Sequence, residues 1–330
     1  MSIHVMKPGM QTTIQDLGRY GYMNQGVSVT GAMDSKSLRV ANLLVGNDEG
    51  EACLEMTLTG PSLSFDEDLL IAVAGGGMIP VLNGKRRSLH TPLFVPKGSY
   101  LHFEPIRKGC RAYLSVAGGF NVPVQLGSKS TYIRAKMGGL EGRALEKGDV
   151  LDLLPMSDHA NKLVQRLAED QKPLHWRVAQ TIESTTDQPH LIRVIKGSHF
   201  DRFTTESQKI FLEKPFQLST QSDRMGYRLE TEESIELADS FELLSEAVAL
   251  GTVQLPPSGK PIILLADRQS TGGYPRIAQV MLVDIPKLAQ MRPGEWIQFT
   301  EVSLQEAEQV YLQSEKELAE IKVAIQLKGI

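Results

Sequence analysis

The sequence predicts a mainly β fold with few helices, and three observations support this prediction. Short apolar or alternating runs are bounded throughout by glycine and proline, which commonly end strands and form turns. A glycine turn followed by an alternating strand recurs at residues 97–103, 147–153 and 293–299. Only three segments have the apolar spacing of a helix. Because the turn-and-strand pattern occurs in both halves of the chain, it indicates a duplicated β module.

The clearest predicted strands lie in the first half. Residues 69–74 are an unbroken apolar run that ends at three glycines, as in a buried strand. Residues 78–82 form a second strand that turns at Asn83-Gly84, a dipeptide typical of two-residue hairpins. Two more short strands are predicted at residues 93–95 and 100–103.

Three segments are predicted to be helical. Asp34 is a favourable N-cap for a helix that ends at Gly46. Residues 157–170 form a second helix with one apolar side. Near the C-terminus, Ser303 and Glu306 have the spacing of a capping box, and a helical apolar stripe follows them.

The length of 330 residues suits two domains. Between residues 171 and 189 the apolar pattern is lost, so we place the domain boundary there. The predicted domains are residues 1–180, with a polar glycine-rich opening loop, and residues 190–330, with the polar loop after Asp267 and the C-terminal helix.

Composition excludes several classes of function. The formal net charge of -4 argues against nucleic acid as a partner, since phosphate binding needs clustered cations. The basic run Lys85-Arg86-Arg87 is predicted to be a solvated turn. Cys53 and Cys110 are far apart and match no metal or disulfide pattern, so we expect reduced thiols and no bound metal. The lack of a signal pattern or long apolar run predicts a cytoplasmic protein without a membrane partner.

Residues 262–275 are the most informative stretch for function. A run of apolar residues stops at Asp267, as if a buried strand delivered a carboxylate to a sheet edge. Asp267 is our candidate for a general base or a substrate-orienting carboxylate, and the polar groups after it would contact a carbonyl or amide. The predicted catalytic residues are Asp267, Gln269 and Thr271. The alternative is an ordinary turn capped by a buried aspartate.

The same loop ends in Gly272, Gly273 and Tyr274, which we predict to bind substrate. Paired glycines let backbone N–H groups approach a ligand and suit a developing oxyanion. The Tyr274 ring, held before Pro275, would stack on a planar ligand or else fill the core.

A second polar patch lies near the N-terminus and supplies three more predicted substrate-binding residues, Gln15, Asp16 and Arg19. Such side chains are costly to bury without partners, so the patch lies in a wet loop or lines a cleft. Arg19 has two open interpretations, a ligand contact or a local clasp with Asp16. We expect this patch and Asp267 to line one pocket.

Two further polar segments are candidates. Arg224 is predicted to bind an anionic group of the substrate, whereas Arg228, four residues later, is better explained by a surface ion pair. His199 follows a Gly-Ser turn and is either a proton-transfer group or an ordinary loop residue.

Several catalytic motifs are absent from the sequence. It has no phosphate-binding loop of the Gly-x-x-x-x-Gly-Lys type, no His-Glu-x-x-His helix and no Gly-x-Ser-x-Gly elbow. Lys136 precedes a methionine, but an alanine stands before it, and the segment lies mid-chain, so we expect no biotin on this chain. Any catalysis must therefore use carboxylates, arginines and backbone donors.

Ordered blocks across residues 5–300 carry a resemblance to a known family. The blocks include Pro8-Gly9, Gln15-Asp16, Gly18-Arg19, Gly31-Ala32-Met33-Asp34, Ala117-Gly118-Gly119-Phe120 and the stretches 222–229 and 266–275. They resemble the KipI-antagonist (KipA) family, which is also known as the C subunit of 5-oxoprolinase, as allophanate hydrolase subunit 2 or as the biotin-dependent carboxyltransferase family.

The resemblance implies two cyclophilin-like β-barrels and an enzyme subunit. It implies an ATP-dependent 5-oxoprolinase in which this chain, a KipI-like B subunit and a separate A subunit open the lactam of 5-oxoproline. ATP would then be required, at a site that the sequence does not identify. The alternatives are a carboxyltransferase module of a urea or allophanate system, and a non-catalytic protein that binds a KipI-like kinase inhibitor.

Overall fold

A computed structural model of the chain describes residues 1–106, 108–170, 176–179, 188–239 and 242–329. The chain divides into two compact units. Unit 1 comprises Met1–Arg19, Thr30–Glu183 and Lys316–Ile330, and unit 2 comprises Tyr20–Val29 and Ser184–Glu315. Most of the predicted linker at residues 171–189 lies outside the described residues.

The two units differ from the predicted domains at two segments. Residues 20–29 group with unit 2, where the Ser28 hydroxyl donates to the Arg268 main-chain oxygen at 2.8 Å. Residues 316–330 group with unit 1, where two of their side chains are buried in an apolar cluster. Both assignments depend on partners distant in sequence, which composition along the chain does not reveal.

Unit 1 is built from two antiparallel sheets. Its described strands are β1 (Ser2–Lys7), β2 (Gln11–Gln15), β3 (Cys53–Thr57), β4 (Ser62–Phe65), β5 (Leu69–Gly75), β6 (Met78–Leu82), β7 (Lys85–Arg86), β8 (Pro92–Val95), β9 (Tyr100–Pro105), β10 (Arg111–Val116) and β11 (Val150–Asp152). The strand orders are β11-β1-β4-β9-β6-β7 and β2-β3-β10-β5-β8. Side chains from both sheets, including Leu63, Leu101 and Leu114, belong to one buried cluster, so the sheets share a core.

Unit 2 contains a closed barrel. Its described strands are β12 (His190–Lys196), β13 (Phe216–Leu218), β14 (Gly226–Glu230), β15 (Glu246–Ala247), β16 (Thr252–Gln254), β17 (Ile262–Leu264), β18 (Thr271–Gly272), β19 (Arg276–Val280) and β20 (Trp296–Glu301). Seven of them close in the order β12-β19-β16-β17-β14-β13-β20, and β15 and β18 form a separate ribbon. The barrel is completed by β20, which pairs with β13 on one side and in parallel with β12 on the other.

Five α-helices lie within the described residues. They are α1 (Ser35–Leu43), α2 (Asp158–Asp170), α3 (Thr205–Glu213), α4 (Ile285–Ala289) and α5 (Leu304–Leu327). The prediction of a mainly β chain with few helices and a C-terminal helix is confirmed. α3 and α4 were not predicted, because α4 has only five residues and the apolar residues of α3 form one consecutive run, Ile210-Phe211-Leu212, that does not repeat at the helical period.

The three predicted helix starts are confirmed by their caps. The Ser37 N–H donates to the Asp34 carboxylate at 2.9 Å at the start of α1, and the α2 cap is Ser157. At α5 the Ser303 N–H donates to the Glu306 carboxylate at 2.8 Å, and the Glu306 N–H donates back to the Ser303 hydroxyl at 3.2 Å. This reciprocal pair is the predicted capping box.

β5 is buried on both faces, which explains its unbroken apolar sequence. Its odd-numbered residues, such as Ile71 and Val73, belong to the core between the sheets. Its even-numbered residues, such as Ala72 and Ala74, belong to a second apolar cluster with side chains of α1, α2 and α5. Because successive side chains of a strand point to opposite faces, both faces need apolar residues.

The predicted hairpin between β6 and β7 is also confirmed. Leu82 pairs with Lys85 across the turn, and Asn83 and Gly84 have φ angles of 50° and 76°. Two consecutive positive φ angles define the primed turn that joins antiparallel strands, and asparagine followed by glycine adopts it at low cost.

Candidate functional site

Asp267 and Arg224 form a buried ion pair in unit 2. The Arg224 Nε and Nη2 groups donate to the two Asp267 carboxylate oxygens at 2.9 and 3.0 Å. The main chains are joined as well, since the Asp267 N–H donates to the Arg224 carbonyl at 2.9 Å. Two predicted site residues that are 43 positions apart are thus brought into direct contact.

The register of two barrel strands explains this contact. β14 and β17 are antiparallel, with Gly226 opposite Leu264. Residues just before β14 therefore lie beside residues just after β17, where Arg224 and Asp267 are found. β17 ends at Leu264, so Asp267 lies in the turn that follows, three residues beyond the strand, and not at the strand end where it was predicted.

The pairing alters the roles expected of these two residues. Asp267 is 7% exposed, and both of its carboxylate oxygens accept bonds from one guanidinium. Such a carboxylate is suited to holding an arginine in a fixed orientation, because a bidentate pair fixes the plane of both groups. The geometry therefore favours a positioning role for Asp267 over that of a general base.

Beyond Asp267 the predicted catalytic and binding residues face outward. Gln269 is half-buried, and Thr271, Gly273 and Tyr274 are exposed, with Tyr274 at 44%. Within the described residues, neither the Gln269 amide nor the Thr271 hydroxyl has a hydrogen-bond partner. These two side chains contribute no hydrogen bond to the described fold and are available to a ligand.

Gly272 and Gly273 do not form the expected turn with aligned N–H groups. Gly272 belongs to β18, opposite Glu246 of β15, and neither glycine has a positive φ. A nest of N–H groups needs such a φ in one of its residues, so an oxyanion site of that type is absent from these two residues. Gly272 serves close packing, because a Cβ there would lie 2.4 Å from the Gln254 amide nitrogen.

Arg268 is a buried cation that was not among the predicted site residues. It is only 7% exposed, and its guanidinium donates to the Val248 and Leu265 carbonyl oxygens at a long 3.4 Å. Burial lowers the pKa of Arg268, and among the described residues no carboxylate pairs with it. Buried charges are usually paired, so this guanidinium is suited to an anionic ligand.

His199 and Arg276 lie at the far end of the polar loop. The Arg276 N–H donates to the His199 Nδ1 atom at 3.2 Å, and the Arg276 side chain pairs with Glu246. Burial lowers the pKa of His199, which favours the neutral ring that accepts this bond. The arrangement agrees with the interpretation of His199 as a hydrogen-bonded loop residue.

In unit 1, Asp16 is the centre of a buried hydrogen-bond network. Its carboxylate accepts from the Ser128 and Ser130 hydroxyls at 2.7 and 2.5 Å. It also accepts from the Lys129 N–H at 2.6 Å and the Gly18 N–H at 2.7 Å. Asp16 therefore holds the segment 128–130, and the local clasp with Arg19, one of the two interpretations of Arg19, is not among the described contacts of Asp16.

Gln15 and Arg19 are also fully buried. Arg19 donates to the Thr30 hydroxyl at 2.6 Å and to the Ser130 carbonyl at 2.5 Å. Gln15 donates to Thr13 and Thr131, while its side-chain oxygen is buried without a hydrogen-bond partner among the described residues. These contacts give all three N-terminal residues a structural role, and their predicted substrate contacts stay predictions.

Within the described residues, no group of histidine, cysteine, aspartate and glutamate side chains is arranged to hold a metal ion. No helix in the described part of the chain combines the length and apolar character needed to cross a bilayer.

Residues 25–301 match the family described as the carboxyltransferase domain, subdomain A and B. The chain belongs to this family. A relative from Haemophilus influenzae, named as the C subunit of 5-oxoprolinase, is 38% identical over 99% of this chain and 100% of its own length. A protein of the same name from Escherichia coli is 39% identical over 92% of this chain and 93% of its own length.

Members of this carboxyltransferase-domain family also occur inside larger proteins. The crystal structure of the K. lactis urea amidolyase matches with a TM-score of 0.86 and 32% identity, over 97% of this chain and 20% of that protein. The family prediction is confirmed by these matches. The present chain is thus a relative of enzyme subunits and of domains within larger enzymes.

Proposed function

We propose that this chain is the C subunit of an ATP-dependent 5-oxoprolinase. It would act in the cytoplasm with a KipI-like B subunit and a separate A subunit to open 5-oxoproline to glutamate. The observation that carries the proposal is the end-to-end match with a protein of that name, which spans 99% of this chain and the whole of the relative.

The reaction requires activation of an amide and recognition of a carboxylate. Resonance makes a lactam carbonyl a poor electrophile, so coupling to ATP is needed, for example by phosphorylation of the lactam oxygen. Arg268 would bind the substrate carboxylate, because it is a buried cation without a carboxylate partner in the described chain. Gln269 and Thr271 would contact the lactam amide, and Asp267 would hold Arg224 in place beside them.

The variant Arg268→Met tests whether Arg268 binds the substrate or only contributes to the stability of the fold. Replacing a buried, unpaired cation by an apolar residue of similar size is expected to leave stability unchanged or raised. If Arg268 binds the substrate carboxylate, KM for 5-oxoproline should rise at least about tenfold. The measurements are 5-oxoproline-dependent ATP hydrolysis by the reconstituted three-component complex and urea unfolding of the isolated chain. An unchanged KM would remove Arg268 from the site.

The outward-facing side chains provide a second test. Gln269→Ala and Thr271→Val should reduce kcat/KM without changing the unfolding midpoint, since neither side chain has a hydrogen bond within the described chain. Gln221→Ala is the matched control, because Gln221 is exposed in the same unit and its side chain has no hydrogen-bond partner there. Full activity in both loop variants would argue against a site in this loop.

The proposal as a whole is tested by omission of the chain. Glutamate formation from 5-oxoproline and ATP should require this chain together with both of its partners. Equal turnover by the two partners alone would contradict it. If the chain instead binds the KipI-like partner tightly but adds no turnover, the KipI-antagonist alternative, binding without chemistry, is favoured.

A second candidate function is carboxyl transfer from carrier-borne biotin to a urea-like nitrogen. The family description and the similarity to the urea amidolyase favour it. Against it, the match covers only 17% of the Saccharomyces cerevisiae urea amidolyase, so the other parts of such an enzyme would have to be separate chains. Transfer of the carboxyl group from carboxybiotin to a urea nitrogen, with no such transfer when 5-oxoproline replaces urea, would favour this candidate.

A further inference from the structure

A basic pocket lies in unit 1, and none of the predicted site residues lines it. It has a volume of about 470 Å³ and is lined by four cationic side chains, those of Arg86, Arg87, Lys108 and Arg177, with His90 beside them. The run at residues 85–87 was predicted to be a solvated turn. The structure instead places two of its arginines on the wall of a cavity.

Three of the four cations are uncompensated within the described residues. Arg86 pairs with Glu104 at 2.6 Å and is neutralised by it. Arg87, Lys108 and Arg177 have no ion pair and no side-chain hydrogen bond in the described part of the chain. The Arg87 Nε atom is moreover buried without a hydrogen-bond partner there. Like charges gathered in one cleft repel one another, and the cleft focuses a positive potential.

His90 adds a neutral donor to the same wall. Its Nε2 atom accepts a hydrogen bond from the Gly75 N–H at 3.1 Å, so in the neutral ring the proton is on Nδ1. The residue is buried and has a φ of 60°, a left-handed conformation that histidine tolerates better than most residues.

The side chains that line the pocket indicate which kind of anion it would bind. Three uncompensated cations match a ligand with two or three negative charges at close spacing. Arginine side chains bind phosphate oxygens through two parallel hydrogen bonds, and lysine adds a point charge. Ile79, Leu89 and Ile106 give the pocket an apolar side, and its volume is in the range of small-molecule sites.

We propose that this pocket binds a small compound with two or more adjacent phosphate groups. Arg87, Lys108 and Arg177 neutralise the phosphates, and the His90 Nδ1–H donates to one of their oxygens. The inference concerns unit 1 alone and stands whether or not the reaction proposed above is correct.

Isothermal titration calorimetry with the full chain tests the proposal, using inorganic pyrophosphate and ADP as probes at low ionic strength. The triple variant Arg87→Gln, Lys108→Gln, Arg177→Gln should bind pyrophosphate at least about a hundredfold more weakly, since each lost contact involves charged groups. The matched control is Lys97→Gln, Lys147→Gln, Lys162→Gln, which removes the same charge from exposed positions outside the pocket. The control should stay within about twofold of the parent chain.

Three outcomes would overturn the proposal. The first is no heat of binding with either probe at millimolar concentration. The second is an equal loss of affinity in the control variant, which would mean a general charge effect. The third is equally tight binding of citrate, which would mean an anion site without preference for phosphate.

Stronger binding of ADP than of pyrophosphate would support use of the apolar side of the pocket. Because the substituted side chains are at least partly exposed, circular dichroism should show an unchanged fold.

Discussion

Arg224 and Asp267 lie in the protein interior, with side chains 6% and 10% exposed. Each supplies the opposite charge that the other needs, because an ion removed from water without a partner is strongly destabilising. Arg268, next in the chain to Asp267, is buried to a similar extent and lacks a carboxylate partner in the described residues. These adjacent residues thus differ in their surroundings: Asp267 completes an ion pair, whereas the Arg268 guanidinium donates only long hydrogen bonds to main-chain oxygens.

Asp267→Ala should lower the free energy of unfolding by about 3–5 kcal/mol, because it leaves a buried guanidinium without its counter-charge. The double variant Asp267→Leu, Arg224→Met should lose less than that, since both charges are removed together. Urea unfolding followed by circular dichroism measures both effects. Asp201→Asn, at an exposed position in the same unit, should stay within about 0.5 kcal/mol of the parent. A double variant less stable than Asp267→Ala would contradict this account.

His90 predicts an acid-sensitive contribution to stability. Burial lowers the pKa of His90 to about 4, from an ordinary value of 6.5. Between these values the unfolded chain binds a proton that the folded chain does not, so stability falls as the pH drops from 6.5 to 4. The loss is on the order of 3 kcal/mol for this group.

Unfolding free energies measured across this pH range should show the effect. His90→Asn, which tolerates the positive φ, should flatten the dependence between pH 6.5 and 4. The same slope in the variant and the parent would assign the acid sensitivity to other groups.

Among the elements, α5 combines a buried and an exposed side. Leu318 is 2% exposed and lies in the cluster formed with α1 and α2, whereas Leu312, on the same helix, is 66% exposed. The amphipathic pattern follows from the 3.6-residue period, and the capping box sets where the helix begins.

Leu318→Ala should reduce the free energy of unfolding by about 2–5 kcal/mol, because it leaves a cavity in a packed cluster. Leu312→Ala, chemically the same change, should alter it by no more than about 0.5 kcal/mol. A thermal melt of the two variants side by side distinguishes these effects. Similar melting temperatures would mean that the end of α5 is not anchored in this cluster.

Among the elements, the features best predicted from the sequence are those formed by residues close together in the chain. The Asp34 cap, the Asn83-Gly84 turn and the Ser303–Glu306 box each need only residues a few positions apart, and all are present. The Arg224–Asp267 pair could not be predicted, since it depends on which strand lies beside β17. Arg268 was missed for a related reason: residue type alone does not reveal that a cation is buried and lacks a carboxylate.

For the whole molecule, the net charge and the charge of the unit 1 pocket lead to different expectations about which anions bind. The chain carries a formal charge of -4, while one pocket is lined by three cations that have no ion pair within the described residues. A pocket can hold a small polyanion, but a nucleic acid needs a long cationic surface. The overall class, mainly β with two units, was accessible from the strand and turn pattern, whereas the assignment of residues 20–29 and 316–330 required contacts distant in sequence.

A labelled DNA duplex should therefore not bind at about 0.15 M salt, with any dissociation constant above about 100 µM. Fluorescence anisotropy on the full chain measures this, and the pyrophosphate titration run in parallel shows that the protein is active in binding. Micromolar affinity for the duplex, lost in the pocket triple variant, would mean that the cations serve a nucleic acid.

The closure of the unit 2 barrel by β20 has a consequence for how the protein is made. Until residues 296–301 have left the ribosome, β12 and β13 have open edges that expose unpaired backbone groups. The nascent chain must therefore carry an incomplete sheet from the synthesis of β12 until that of β20. Shielding by chaperones at that stage, or a pause after residue 301, would govern how much of the protein escapes aggregation.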